Sequence, residues 1–257
     1  MSSATTVTES GAGEVPRRRL GWHVATLVEA RRENATARTL VLDVPGWPGH
    51  LAGQHADVRL TAEDGYHAQR SYSIASAPDR ERVELTVQMV DDGEVSPYLV
   101  DDFAPGAAIE LRGPVGGWFV WRATSTEPVL LVGGGSGVVP LMAMIRTRRA
   151  SGNRAPFRLL YSVRSPEDVL YAQELRPAHD GVDVTIAYTR RAAEGVSRPA
   201  GRLTAADLSS WGWPADFAPQ VFVCGPTGFV EAMADALVAL GHDAQRIKTE
   251  RFGPTGG

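Results

Sequence analysis

The first half of the chain alternates short apolar runs with polar breaks, at the two-residue period that is typical of β-strands. Clusters of Pro, Gly and Asp separate these runs, which read HVATLVEA, ARTLVLDV, HADVRLT, RSYSIAS, RVELTVQMV and AIELRGP between residues 22 and 120. Many short strands at close spacing predict an antiparallel barrel or sandwich, which we assign to residues 20–123.

A different pattern begins after Glu127, where longer apolar runs are separated by helical segments. The strand candidates are VLLVGGG, FRLLYSV, VDVTIAYT and QVFVCG, and the helical segments include PLMAMIRTRRA and GFVEAMADALVALG. This order predicts an α/β domain with a parallel sheet over residues 124–257. Residues 1–19 are small and polar, and we expect them to form a disordered tail.

Composition excludes several classes of function. The formal net charge is -4, from 26 basic and 30 acidic side chains, so neither nucleic acid nor an anionic membrane is an expected partner. Cys224 is the only cysteine, which rules out an intramolecular disulfide or a cysteine-ligated iron–sulfur cluster within this sequence. The six histidines lack the spacing of a metal site, so no bound metal is expected. No segment resembles a secretion signal or a membrane span, which predicts a cytoplasmic protein.

A glycine-rich turn is the first chemical signal. The segment VLLVGGGSGVVP places Gly134, Gly135, Ser136 and Gly137 between an apolar strand and a helix. Glycines permit close approach of a phosphate, and the helix start offers backbone amides to an anion. Pro140 replaces the third glycine of the dinucleotide fingerprint, so a tight turn without a ligand is the alternative.

A second turn follows about ninety residues later, where the segment VFVCGPTGFVEAM ends a strand in Cys224, Gly225 and Pro226. The carboxyl ends of parallel strands share one edge of a sheet, so this turn should lie beside the glycine-rich one. Cys224 would then face a ligand, although a buried free cysteine is more often a small packing residue.

The basic end of the first predicted helix carries Arg146, Arg148 and Arg149. Cations stabilise the C-terminus of a helix through its dipole, and we expect that role for them. Docking of an acidic ferredoxin or flavodoxin is the alternative.

Seven motifs together carry a resemblance to a known family. RSYSIAS, GEVSPYL, GPVGGWF, GGGSGVVP, YSVRSPEDVLYAQEL, CGPTGFVEAM and ERFGPTGG follow the motif order of the ferredoxin–NADP⁺ reductase superfamily over residues 20–257. The chain resembles the stand-alone reductases of that superfamily, which have no fused iron–sulfur domain. The resemblance implies an antiparallel β-barrel that binds FAD, or alternatively FMN, followed by an α/β domain that binds NADPH or NADH.

The resemblance also implies roles for the first two motifs. In RSYSIAS, Arg70 would pair with the flavin phosphate, Tyr72 would pack along the flavin, and Ser73 would hydrogen-bond near flavin N5, with Ser71 as a further contact. In GEVSPYL, amides and a hydroxyl for the phosphates would come from Gly93, Val95 and Ser96. Ser73 faces away from Arg70 and Tyr72 in a regular strand, so the strand must twist or end there.

The remaining motifs imply a nucleotide site. The glycine-rich turn with Cys224, Gly225 and Pro226 would hold the nucleotide, and Ser73, Cys224 and Glu250 would bound the nicotinamide pocket as catalytic residues. Phe252 would flank the flavin ring. Arg164, Arg190 and Arg202 match positions that bind the adenosine 2′-phosphate in NADPH-specific relatives, which favours NADPH over NADH.

The implied function is that of a flavoprotein reductase, which transfers a hydride from NAD(P)H to FAD and passes electrons to a separate acceptor. That acceptor would be a ferredoxin, a flavodoxin, or an oxygenase or molybdoenzyme component. Two alternatives stay open at this point. The protein could be a flavin reductase that releases its reduced flavin, or a non-catalytic flavin subunit that only carries electrons.

Overall fold

A computed structural model describes residues 20–62, 64–90, 92–176 and 180–253. The predicted disordered tail over residues 1–19 lies outside the described residues, as does the glycine-rich end over residues 254–257. Within the described ranges, no helix combines the length and apolar character needed to cross a membrane.

Six strands form the first sheet, and every pair of neighbours is antiparallel. In the order β4-β3-β6-β1-β2-β5 across the sheet, the strands are β1 Trp22–Asn34, β2 Ala37–Asp43, β3 His55–Thr61, β4 His67–Ser73, β5 Arg82–Gln88 and β6 Ala108–Val115. The two edge strands meet where Ile74 bridges Leu85 and the Ala75 amide donates to the Glu84 carbonyl at 2.8 Å. The predicted antiparallel barrel is therefore confirmed.

Alternation of side chains explains why these segments form a barrel. In β5, Val83, Leu85 and Val87 are fully buried inside, while the intervening Glu84 is only partly buried. Burying each aliphatic side chain of this size stabilises the fold by about 2 kcal/mol. The interior of the barrel is one cluster of such residues, to which Tyr72 of β4 adds from its rim.

Five parallel strands form the second sheet, which confirms the predicted α/β domain. In the order β11-β10-β7-β8-β9, the strands are β7 Val129–Gly134, β8 Phe157–Val163, β9 Val182–Tyr188, β10 Gln220–Pro226 and β11 Ile247–Phe252. Among the described residues, three α-helices accompany them: α1 Val138–Ala150, α2 Ala205–Trp211 and α3 Thr227–Ala239. The order of strands reverses between β7 and β10, which is where ligands bind in open α/β sheets.

Helix α1 lies between the two domains and is buried on nearly all sides. Its Leu141, Met142 and Ile145 belong to one apolar cluster that also contains Phe119 and Trp121 from the end of the barrel domain. The indole of Trp121 meets the ring of Phe157 in β8 edge to face, at a centroid distance of 5.1 Å. The connection between the domains is therefore part of a shared core.

Arg146 of α1 adds a polar link to the apolar one. Its guanidinium donates to the carbonyl of Ala75 at 2.9 Å and to Oε2 of Glu84 at 3.0 Å, and it also pairs with Glu174. Only 13% of the Arg146 side chain is exposed. This residue therefore joins the barrel to the α/β domain.

The other two arginines of α1 bind within the α/β domain. Arg148 donates to the carbonyls of Ala155 at 2.6 Å and Asp180 at 2.7 Å, and Arg149 binds the Asp180 carboxylate at 2.6 Å. Both lie in the last turn of α1, as the helix-dipole role expected from the sequence requires, and their hydrogen bonds are tertiary. The same contacts argue against a role of these arginines in docking a partner.

Removal of Arg146 should separate its contribution from that of a neighbouring arginine. We expect Arg146→Met to lower the free energy of unfolding by about 3 kcal/mol, because the Ala75 carbonyl and Glu174 lose a partner and Glu84 keeps only the more exposed Arg31. The more exposed pair of Arg149 with Asp180 is the control, and Arg149→Met should cost about 1 kcal/mol or less. Urea unfolding measures both, and equal losses would contradict the special position of Arg146.

Candidate active site

The two predicted turns lie side by side at the point where the strand order reverses. Gly133 at the end of β7 is in register with Cys224 of β10. Gly137 packs so tightly on β10 that a Cβ atom there would lie 2.2 Å from the Cys224 carbonyl oxygen. Only glycine fits that position, and its close approach brings the start of α1 against the second turn.

The glycine-rich turn leaves an open approach to the start of α1. Gly135 has a φ of 55°, and a Cβ atom built on it meets no atom within 4 Å. A single 3₁₀ turn, Gly135–Gly137, leads directly into α1, whose first turn contains no acidic residue. Backbone amides at such a helix start favour an anion, so the turn suits the pyrophosphate of a dinucleotide.

Cys224 itself is a neutral, buried thiol. It is 1% exposed, and burial together with the nearby Glu250 carboxylate raises its pKa well above the ordinary value. Cys224 and Glu250 are in register on the neighbouring strands β10 and β11. A thiol in this state is a poor nucleophile.

The RSYSIAS segment runs through the end of β4. The side chains of Arg70 and Tyr72 lie on one face of this strand, and the strand ends at Ser73. The sequence required this strand to twist or end at Ser73, and it ends there. Tyr72 is half-buried against the barrel core, and burial raises its pKa to about 12, so the phenol stays neutral.

Ser71 lies on the opposite face of β4. Its hydroxyl donates to Oδ1 of Asp57 at 2.6 Å, and the Asp57 carboxylate also binds the guanidinium of Arg112 at 2.7 Å. The Ser71 side chain is therefore committed to a polar cluster on the other side of the sheet from Arg70 and Tyr72.

The GEVSPYL segment lies next to Arg70. Oε2 of Glu94 is 3.1 Å from Nη2 of Arg70, which brings together the two motifs that the resemblance assigns to flavin. Val95 is 1% exposed and anchors the segment in the barrel core. The Ser96 hydroxyl oxygen accepts from the Val90 amide at 3.0 Å, so it closes the loop that contains Gly93. A π-helical turn, Tyr98–Asp102, follows.

His55 is the residue that the sequence reasoning missed. It is in register with Ser73 on the neighbouring strand, and its Nδ1 lies 3.6 Å from Oε1 of Glu250 in the other domain. The contact with Glu250 raises the pKa of His55, against the opposing effect of burial. The second oxygen of Glu250, Oε2, is buried and has no hydrogen-bond partner among the described residues.

The structure thus places Ser73, Cys224 and Glu250 at one junction between the domains. His55 connects them, because it pairs with Ser73 in the barrel and contacts Glu250, which is in register with Cys224. Strand β11, which carries Glu250, is an edge strand, and Lys248 ties it to the barrel side by donating to the Val120 carbonyl at 3.1 Å. Phe252 ends β11 opposite Pro226 and is 37% exposed.

The three arginines proposed for the 2′-phosphate lie beyond the carboxyl ends of β8 and β9. The Arg190 amide donates to the Arg164 carbonyl at 2.9 Å, and the Gly201 amide, next to Arg202, donates to the Tyr188 carbonyl at 2.9 Å. All three side chains are exposed. In the described part of the chain none of them forms a salt bridge, whereas the adjacent Arg191 pairs with Glu167.

Two family models match this chain, one for each domain. Residues 24–120 match the oxidoreductase FAD-binding domain, and residues 131–235 match the oxidoreductase NAD-binding domain. Glu250 and Phe252 lie outside both matches.

Similar proteins include reductase components of oxygenase systems. A reductase component from a Ralstonia species, of naphthalene 1,2-dioxygenase and salicylate 5-hydroxylase systems, is 32% identical over 79% of this chain and 61% of its own length. The ferredoxin reductase component of a 3-ketosteroid-9-alpha-monooxygenase from Mycolicibacterium smegmatis is 32% identical over 91% of this chain and 67% of its own length. The chain thus spans about three fifths of the first of these relatives.

A solved structure shares the fold of this chain. The FAD/NAD-binding domain of a nitric oxide dioxygenase from Vibrio cholerae superposes with a TM-score of 0.81 at 26% identity, covering 90% of this chain and 99% of that one.

The contact of His55 with Glu250 predicts a dependence of stability on pH. Because the pKa of His55 is raised, the pair stabilises the fold fully below about pH 6.5, and the stabilisation is lost as the pH rises through the raised value. His55→Gln should therefore lower the free energy of unfolding by about 0.5–1 kcal/mol at about pH 5.5 and by much less at about pH 9.

Urea unfolding at the two pH values measures the difference. Glu250→Gln is the matched variant, since it removes the other partner and should show a loss of the same size at low pH. A loss from His55→Gln that is equal at both pH values would contradict the ion pair.

Proposed function

Because the chain belongs to the ferredoxin reductase-like family of oxidoreductases, which have an FAD-binding and an NAD-binding domain, we propose that it passes electrons from NAD(P)H through FAD to a separate acceptor. The observation that carries this proposal is the junction between the domains. There Ser73 and His55 from the barrel meet Glu250 and Cys224 from the α/β sheet, next to the glycine-rich turn.

The barrel rim fits a flavin. Arg70 offers a guanidinium to the phosphate, and the neutral ring of Tyr72 offers a flat apolar face with a polar tip. The Ser73 hydroxyl, at the end of β4, would hydrogen-bond near flavin N5. Val95 and Ser96 would add a backbone amide and a hydroxyl for the phosphates, whereas the Gly93 amide, also expected to contribute, already donates to the Val90 carbonyl at 3.0 Å. The family description names FAD, so FMN is the less favoured cofactor.

The α/β edge fits a dinucleotide. The turn from Gly134 to Gly137 would hold the pyrophosphate at the start of α1, and Gly225 and Pro226 would form the opposite wall. Phe252 at the end of β11 would flank the flavin ring where the nicotinamide arrives. The unpartnered oxygen of Glu250 favours a polar ligand group at this place, because a buried carboxylate oxygen without a hydrogen bond is costly.

FAD, when bound, supplies the chemistry of accepting a hydride and releasing electrons singly, which no side chain offers. The protein contributes position, exclusion of water and proton transfer. Ser73 would hold a hydrogen bond at the flavin edge, and the buried Cys224 would limit the pocket. Glu250 with His55 would hold or move the proton that accompanies the reaction, since His55 contacts the carboxylate and this contact raises the pKa of His55.

We propose that the acceptor is a ferredoxin, a flavodoxin, or an oxygenase or molybdoenzyme component. The relatives named above favour an oxygenase system, since both are reductase components of such systems by name. The cytoplasm, where NAD(P)H is regenerated, is the proposed location.

A flavin reductase is the second candidate. The pairing of Arg70 with Glu94 favours it, because a carboxylate on the guanidinium that we assign to the flavin phosphate would weaken the hold on flavin. Such a protein would release flavin after reducing it, whereas a reductase with its own FAD stays yellow through purification.

Substitution of the three arginines tests whether the protein is specific for NADPH. We expect the ratio of kcat/KM for NADPH to kcat/KM for NADH, with ferricyanide as acceptor, to exceed one. Arg164→Gln, Arg190→Gln and Arg202→Gln should each lower it about tenfold, because each removes a charged hydrogen bond to the 2′-phosphate.

Arg191→Gln is the matched control, since Arg191 is adjacent but paired with Glu167, and its ratio should stay within about twofold of the wild type. A wild-type preference for NADH that the three variants leave unchanged would discard the arginine assignment while keeping the reductase.

A further inference from the structure

Glu94 binds the guanidinium that we assign to the flavin phosphate. Its Oε2 lies 3.1 Å from Nη2 of Arg70, and its Oε1 accepts a hydrogen bond from the Tyr66 hydroxyl at 3.1 Å. Nη1 of Arg70 donates to the carbonyl of Gln69 at 2.7 Å. Both terminal nitrogens of the guanidinium are thus engaged, one of them by a carboxylate that presents two anionic oxygens as a phosphate would.

The ion pair of Arg70 with Glu94 can open at little cost in stability. The side chains of Arg70 and Glu94 are 54% and 51% exposed, and an ion pair in that setting adds little stability. Glu94 and Tyr66 line a cavity of about 690 Å³ together with Ala68 and Tyr98. The carboxylate therefore has space into which it can withdraw.

Glu94 also lies inside the segment that we assign to the phosphates. Gly93 and Val95 flank it, so its charge stays close to any phosphate held there. Two anions at one guanidinium repel each other, and salt screens the repulsion at an exposed site.

We propose that Glu94 competes with the flavin phosphate for Arg70 and thereby sets how tightly the protein holds its flavin. The inference rests on the proposed function, specifically on the assignment of Arg70 to the phosphate. Glu94 acts on affinity through charge, and Tyr66 holds it in its competing position.

Equilibrium dialysis of the full chain against FAD, FMN and riboflavin tests the proposal at low and at high ionic strength. We expect Glu94→Gln to lower the dissociation constants of FAD and FMN about fivefold at low ionic strength, and less at high. Riboflavin, which has no phosphate, should bind both proteins equally. Tyr66→Phe should act in the same direction with a smaller effect.

Asp101→Asn provides the matched control. Asp101 lies in the turn that follows the same segment, and it forms an ion pair of similar exposure with Arg32 of β1. Its substitution therefore deletes one negative charge without touching Arg70. Its dissociation constants should stay within about 1.5-fold of the wild type. An equal gain in Asp101→Asn and Glu94→Gln would reduce the effect to net charge and overturn the proposal.

Arg70→Gln separates this inference from its premise. If Arg70→Gln weakens FAD and FMN but not riboflavin, Arg70 binds the phosphate. Unchanged or weaker binding in Glu94→Gln would then refute the competition alone, and weaker binding would make Glu94 a support for Arg70. If Arg70→Gln changes nothing, the premise fails with the inference.

Discussion

The buried guanidinium of Arg146 is the interaction on which the geometry of the candidate site depends. Helix α1 begins at the glycine-rich turn, and Arg146, two turns further along it, binds the carbonyl of Ala75 in the barrel. Ala75 follows Ser73 by two residues. One helix therefore fixes the distance between the place proposed for the nucleotide phosphates and the place proposed for flavin N5, and hydride transfer depends on that distance.

Apolar packing makes this link rigid. Helix α1 is buried between the parallel sheet and the aromatic residues Phe119 and Trp121, so that it cannot shift without opening the shared core. Tyr171 adds a second polar contact across the same interface, because its amide donates to Oε2 of Glu33 at 3.0 Å and its hydroxyl to Oγ1 of Thr86 at 2.5 Å. The two domains are thus joined by a core and by buried hydrogen bonds at once.

Much of the fold could be predicted from local patterns. The segments HADVRLT and FRLLYSV are β3 and β8 to the residue, because alternation or continuous apolar character ends sharply at polar neighbours. The neighbouring positions of the two turns, with Gly133 in register with Cys224, followed from the expectation that parallel strands end at one sheet edge. The order of the seven motifs predicted the family and its site residues, because it combined signals that are weak when taken alone.

Contacts between distant segments could not be predicted in the same way. Arg146 was expected to complement its own helix, since the helix dipole is a local effect, while its partner Glu84 lies far away in sequence. His55 escaped attention because its role depends on the register of β3 with β4 and on the approach of β11 from the other domain. The same holds for Glu94, whose pairing with Arg70 requires the loop after β5 to fold against the hairpin of β3 and β4.

Anaerobic rapid mixing of the purified protein with NADPH carrying deuterium at the nicotinamide C4 position tests the central claim most directly. The account predicts that the flavin absorbance is bleached, and that deuterium on one face of C4, but not on the other, slows the bleaching. Both results follow if the junction of Ser73, Cys224 and Glu250 presents one face of the nicotinamide to the flavin. A flavin-containing protein that neither NADPH nor NADH bleaches would contradict the account and would favour a subunit that only carries electrons.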